Sequence, residues 1–375
     1  MSRRLSCFYL AATVFVVAGV LARWQAETGF SALVRFGHEW DARRLPAVVA
    51  HPHAIVADAG YDGQFYAQLA VDPNVLAPEV QRALDLPQYR ARRILLPAIA
   101  HVFGCGSAWA ALNIFALLNL AAWLVLAWHL RRYVAPMGMH GVAIWAACLL
   151  GLGALDSIRF SLTDLPAMLA LFLAVEAWEV GRKNWATFYL ALGGLVRETS
   201  IFAVTLFAPA DAHDRGGWRG TAARATLAAL PLLAWSAWLA LSLPRDAGGF
   251  AGNFDWPGCA LVRQLGTCVR AIAAGDFDGR FTFGLLAAVG LAYQSCFVLR
   301  RATEPSAWIR VGLPFAVLFW VLGDFVWHGY WAVARACLPL TFAYNLTLPR
   351  DRHFGWRMVL GNAFLVHGLV RFFPG

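Results

Sequence analysis

Apolar runs recur along almost the whole chain, broken by short polar segments. They lie at 5–24, 107–129, 140–155, 164–181, 186–197, 200–210, 224–243, 281–299, 307–323, 330–347 and 356–372, about eleven in all. Most approach the ~20 residues that a helix needs to cross a bilayer. The runs 186–197 and 200–210 are shorter and are expected to extend at their ends or to meet as half-helices. The apolar stretch Ile94 to Phe103 is shorter still and contains Pro97, which predicts a dipping or interfacial helix. Leu5 to Leu21 follows basic residues, as a signal peptide does. Ala22-Arg23-Trp24 comes next instead of a small-x-small cleavage site, so it reads as a retained first helix. The expectation is an all-α polytopic membrane protein, one membrane domain over 1–375 with no soluble domain at either end.

The polar segments orient these helices. "MSRR", "HLRRY", "GRKN", "HDRGGWRGTAAR", "LRRATEPSAWIR" and "PRDRHFGWR" carry fifteen Arg or Lys between them. The intervening short turns carry Arg159 and Arg197 alone. The positive-inside rule then places the N-terminus in the cytoplasm. Two long loops, 25–93 and 244–280, fall outside, and long loops are exempt from the rule. The first is expected to carry interfacial helices.

Composition narrows the class. Hydrophobic residues make up 60% of the 375 and charged ones 14%, too few for the surface of a soluble domain of this length. The net charge of +9 does not point to nucleic acid, because the basic residues sit in pairs between apolar runs. Lys183 is the only lysine, a usage typical of high-GC bacterial genomes. Cys7, Cys148, Cys296 and Cys337 lie in apolar runs and read as small core residues. Cys259 and Cys268 share one external loop, where a local disulfide is open. No spacing resembles a zinc site.

The informative residues are polar ones on the external side. Asp62 lies in the first long loop. Asp156, Arg159 and Asp164 ("LDSIRFSLTDLP"), then Arg197 and Glu198 ("LVRETS"), occupy external turns. Asp324 and Arg335 follow near a later one. Ionised groups near membrane depth are costly and usually functional. Arg159, Arg197 and Arg335 could bind an anion, or pair with Asp156, Asp164 and Glu198 and hold helices together. Asp62 in "YDGQ" has two readings. It is good turn chemistry, capping a short interfacial helix from Gln64 to Val71 whose apolar side is Phe65, Leu69 and Tyr66. The other reading is functional, a carboxylate held near membrane depth by a tight turn.

The arrangement resembles the GT-C superfamily of polytopic glycosyltransferases. The order of "YDGQFYAQLAVDP", "YRARRILLPAIA", "SLTDLPAMLALFLA", "GGLVRETSIF" and "VARACLPL" resembles, more closely, a bacterial integral membrane family linked to cell-surface glycopolymer formation. The resemblance implies an inverting transfer of a sugar from a polyprenyl-phosphate donor to a cell-envelope glycan or lipid acceptor. The site would face the periplasm from the bacterial inner membrane. Asp62 would be the catalytic base. Arg159, Arg197 and Arg335, or Arg92 and Arg93, would hold the donor phosphate, with Tyr61, Gln64, Tyr66, Asp156, Asp164 and Glu198 supporting. The implied partners are the bilayer, the lipid-linked sugar and the acceptor. No cofactor is implied; arginine-held phosphate needs no divalent metal in principle, though one stays open. The "DFD" of Asp276–Asp278 resembles a metal-binding DxD but reads as a turn between glycines. The chain departs from many GT-C enzymes in lacking a soluble domain after its helices. Two rival readings stay open: a non-catalytic membrane subunit, and a transporter or flippase of a polysaccharide assembly system.

Overall fold

The computed structural model describes residues 3–209, 215–246 and 252–373. Part of the basic segment 213–224 and the stretch 247–251 of the second long loop lie outside these residues. The described chain is nearly all helix, with one parallel pair of two-residue strands, Phe36–Gly37 beside Ile55–Val56. The all-α expectation is met.

Three helical runs are long and apolar enough to cross a membrane: Ala108–Leu149, Gly216–Ser242 and Gly279–Arg300. The first is a hairpin of two helices, Ala108–Val134 and Gly138–Leu149. Trp123 Nε1 donates to Leu149 O at 2.9 Å and Trp145 Nε1 to Ala127 O at 3.0 Å, a register that only antiparallel helices give. Ala135–Met137, with Pro136 inside it, and Gly138 at φ +60° make the turn. Helix starts follow local chemistry: Ser107, Asp278 and Ser306 each accept a backbone N–H at a first turn.

Several expected spans are broken. The run 140–155 divides at Leu150–Gly151 before a helix Leu152–Arg159. Gly151 is extended, and a Cβ there would lie 2.8 Å from Ala147 O. The run 330–347 divides at Cys337, where Pro339 begins the helix Leu338–Thr347. The run 356–372 becomes Phe354–Asn362, a 3₁₀ segment and His367–Phe372. The run 200–210 is a ten-residue 3₁₀ helix, Glu198–Phe207. The second long loop holds a helix, Cys259–Ala273. Its two cysteines are free. Nine residues of helix separate them by about 13 Å, beyond disulfide reach.

The loops sort onto two ends. His129 pairs with Glu176 at 2.7 Å, Tyr133 donates to Glu179, and Trp308 donates to Tyr133, so three basic segments named above share one end. Asp164 begins the helix whose far end carries Glu179. Fifteen residues of rise separate the ends by about 22 Å. Asp164 belongs with the first long loop and with Arg335.

That loop is packed, not spread on a surface. The helix Gly63–Val71 forms as expected, but residues 63–70 are all buried, so burial extends beyond the apolar side of Phe65, Leu69 and Tyr66. Gln64 bonds Gly37 N and Ala59 O, and Gln68 bonds Leu45 N and Ala83 O, so two buried amides tie three loop segments to one helix. Gly63 lets this helix start press on the bundle: a Cβ there would lie 2.2 Å from Phe160 O and 3.0 Å from Val34 O. Both are backbone atoms and cannot swing aside. Gly63→Ala is therefore expected to destabilise the protein by about 1–3 kcal/mol and to displace Asp62, read as a lowered unfolding midpoint.

Candidate active site

Asp62 stands at the N-cap of the Gly63–Val71 helix, yet its side chain caps nothing. It turns to Arg90, whose Nη2 lies 2.9 Å from Asp62 Oδ1. The capping reading of Asp62 is thus corrected. The same guanidinium grips Asp85 with Nε at 2.7 Å and Nη2 at 2.6 Å. Arg90 is on the short helix Pro87–Ala91, whose first amides, from Gln88 and Tyr89, donate to Asp246.

Arg93 follows that helix, four residues after Tyr89 and three after Arg90, a spacing that puts all three on one side. It holds Glu198 in a fork, Nε to Oε2 at 2.8 Å and Nη2 to Oε1 at 2.6 Å. Nη1 donates to Tyr66 OH and Nη2 to Tyr89 OH, both at 2.6 Å. Tyr66 OH also accepts from Arg90. Asp164 meets two cations. Its Oδ1 is 2.6 Å from Arg197 Nη1 and its Oδ2 is 3.4 Å from Arg335 Nη1. The first contact is an ion pair without hydrogen-bond alignment, since Oδ1 receives no hydrogen bond. Arg335 Nη2 donates to Tyr61 OH at 2.8 Å, while its buried Nε has no acceptor among the described residues.

Two cavities meet at Asp62. One, about 400 Å³, is lined by Arg93, Arg197, Arg335 and a wall of Leu318, Leu322 and Val326. The other, about 780 Å³, is lined by Trp40, Gln64, Phe65, Asp85 and Arg90. Tyr61, Asp62, Tyr89, Asn253, Phe325 and His328 line both. The second long loop roofs this junction: Gly323 N donates to Asn253 O and Asp255 N to Val321 O.

The charges along this cleft balance in number but not in place. Arg90, Arg93, Arg197 and Arg335 face Asp62, Asp85, Asp164 and Glu198. Around Arg90 two carboxylates share one cation. Around Asp164 two cations share one carboxylate. The cleft is therefore richer in carboxylate around Arg90 and richer in cation around Asp164, with Arg335 close enough to act on Asp62 as well. Burial pushes the Asp62 carboxyl up, but Arg90, Arg335 and Arg93 outweigh it and hold it at about 2. The side chain is still 38% exposed to the cleft. Arg90→Gln removes the nearest cation and leaves Asp85 as a like-charged neighbour. The carboxyl then rises toward its ordinary value near 4 or above it. An activity that needs the ionised form is expected to be flat above pH 4 in the native protein and to gain an acid limb in Arg90→Gln, read from a pH–rate profile.

Of the sequence-predicted residues, the cleft gathers Asp62, Tyr61, Gln64, Arg93, Arg197, Glu198 and Arg335. Tyr66 and Asp164 stand just behind its wall, through the bonds above. Asp156 does not line the cleft; it is buried, 3.4 Å from Arg371, and within electrostatic reach of Arg335 and Tyr61. Arg159 packs its guanidinium over Phe160, and neither it nor Arg92 lines the cleft. Asp276 and Asp278 form a turn at the start of the Gly279–Arg300 helix, with Asp278 accepting from Arg280 N. The sequence reading missed Arg90, Asp85, Tyr89, Trp40, Asn253 and His328. Only Tyr89 and Arg90 carried a signal, their helical spacing to Arg93.

Comparison with protein-family models, with curated proteins and with solved structures gave no match.

Proposed function

We propose that the protein is an inverting membrane glycosyltransferase that takes its sugar from a polyprenyl-phosphate donor on the external face. The polarised cleft carries this reading: a carboxylate at one end, and two cations on one carboxylate beside an apolar wall at the other. The lipid phosphate would lie by Arg197 and Arg335, with its first prenyl units against Leu318, Leu322 and Val326. Guanidinium forks suit phosphate oxygens. The sugar would then project toward Asp62, and an acceptor hydroxyl would enter from the larger cavity past Trp40.

In this mechanism the acceptor oxygen attacks the anomeric carbon as the bond to phosphate oxygen breaks. The bonding electron pair stays on the phosphate, where Arg197 and Arg335 stabilise it. Asp62 takes the hydroxyl proton. A carboxylate held at about 2 is a weak base, so proton transfer comes late, once the new C–O bond has made the hydroxyl acidic. The acceptor would be a cell-envelope glycan or lipid. The multi-pass topology would be that of the sequence reading, with the N-terminus and the His129–Glu176 end in the cytoplasm of a bacterial inner membrane.

One observation favours a second reading, a non-catalytic membrane subunit. Every guanidinium of the cleft already has a carboxylate within 3.4 Å, which is also how helices are pinned together. A transfer assay separates the two. The protein in nanodiscs would be given radiolabelled polyprenyl-phosphate sugars and a crude envelope acceptor fraction. Label moving from lipid to acceptor is the expected result. No release with any donor would favour the subunit.

A further inference from the structure

A third cavity opens on the first long loop beside the cleft. It measures about 640 Å³ and is walled by Arg43, Arg44, Glu79, Arg82 and Asp85 among others. Asp85 also lines the larger lobe of the cleft, so the two spaces share a wall. Trp40 lies near this junction. Its ring meets Phe65 edge-on at 4.9 Å and carries the Arg43 guanidinium at 5.1 Å.

The charges in this groove are unevenly committed. Arg44 is buried and bound to Asp41 and to Gly37 O, and Asp85 is bound to Arg90. Arg43 and Arg82 are exposed, and among the described residues neither has a carboxylate at ion-pair distance. Glu79 alone opposes them. Two cations that lack a carboxylate partner, one of them resting on Trp40, against one carboxylate suit an anionic ligand. The apolar lining is limited to Ala42, Pro46, Leu84 and Pro87, too little for a lipid tail. The groove and the adjoining lobe are each of a size that encloses a small molecule, so together they exceed one sugar unit.

We propose that this groove is an acceptor track that binds the extended part of a linear acidic glycan, with Arg43 and Arg82 on its carboxylates and Trp40 against a sugar face. The proposal rests on the glycosyltransferase reading, which it deepens by naming the acceptor class. A chain lying in the groove passes Asp85 and delivers its end sugar to Asp62. Guanidinium recognises the carboxylates of uronic acids in a bidentate manner. The charges are exposed, so their contribution falls with salt.

The test is isothermal titration of the full chain in neutral-lipid nanodiscs at low salt. The probes are tetragalacturonate and, as a neutral chain of equal length, maltotetraose. The variants are Arg43→Glu/Arg82→Glu and Asp62→Asn, each checked for an unchanged unfolding midpoint. The native protein is expected to prefer the acidic tetramer about tenfold. The double variant is expected to lose that preference, and Asp62→Asn, which removes a negative charge where the end sugar sits, to keep or raise it. Equal binding of the two tetramers, binding of neither, or an unchanged preference in the double variant would overturn the proposal. Failure here with sugar transfer intact removes the track and leaves the enzyme. Binding without any transfer leaves a glycan-binding groove on a non-catalytic protein.

Discussion

Asp62→Asn is expected to lower sugar transfer by about 10²- to 10⁴-fold, the usual contribution of a positioned general base. The amide keeps the shape of the carboxylate and an oxygen for Arg90 Nη2, 2.9 Å away in the native protein. Arg90 also keeps Asp85, so no buried cation is left unpaired. The unfolding midpoint should therefore stay close to native while single-turnover transfer collapses. Equal transfer by the two proteins would remove Asp62 from the chemistry. Loss of transfer together with a large drop in the midpoint would mean that Asp62 serves the fold.

Arg93→Met is expected to act in the opposite way, on stability first. Arg93 is 5% exposed and joins the end of the first long loop to the start of the Glu198–Phe207 segment through its fork on Glu198. Without it, Glu198 is left largely buried without its fork, and Tyr66 and Tyr89 each lose a charged donor. Removing one partner of a buried pair costs about 3–5 kcal/mol, and Glu198, 24% exposed, puts this case at the lower end. Arg93→Met/Glu198→Met should recover part of the loss, because the double variant buries no lone charge. The check is thermal unfolding of all three proteins in one detergent. A single variant within about 0.5 kcal/mol of native would show that the fork contributes little.

Much of this was legible in the chain. Apolar runs announced the all-helical class, because that signal is local, and three of the six basic segments meet at one end. The breaks were harder to see. Gly151 and Cys337 interrupt apolar runs for reasons set by close approach and by a neighbouring proline, not by hydropathy. The Gly63–Val71 helix looked amphipathic, yet Gln64 and Gln68 are buried. A buried glutamine reads as surface until its partners at Gly37, Ala59, Leu45 and Ala83 are known.

The site divides along the same line. Asp62, Arg197 and Arg335 stood out because ionised groups near apolar runs demand a reason. Arg159 stood out equally but packs on Phe160, since sequence does not give the direction of a side chain on a turn. Arg93 was singled out with Arg92, and only helical spacing separates them. Asp85 and Trp40 lie in polar loop surroundings where a carboxylate or an indole is unremarked. Their roles come from the packing of the first loop onto the bundle.

The most direct measurement is equilibrium binding of a sugar-free polyprenyl phosphate to the native protein, to Arg197→Met/Arg335→Met and to Asp62→Asn, by titration in micelles. A cleft with its positive end at Arg197 and Arg335 predicts a loss of about 10²-fold or more in the double variant, the scale of two charge-assisted hydrogen bonds. It predicts native or tighter binding in Asp62→Asn, because that change removes a negative charge that Arg335 faces. Unchanged binding in the double variant, or equal loss in both, would contradict it.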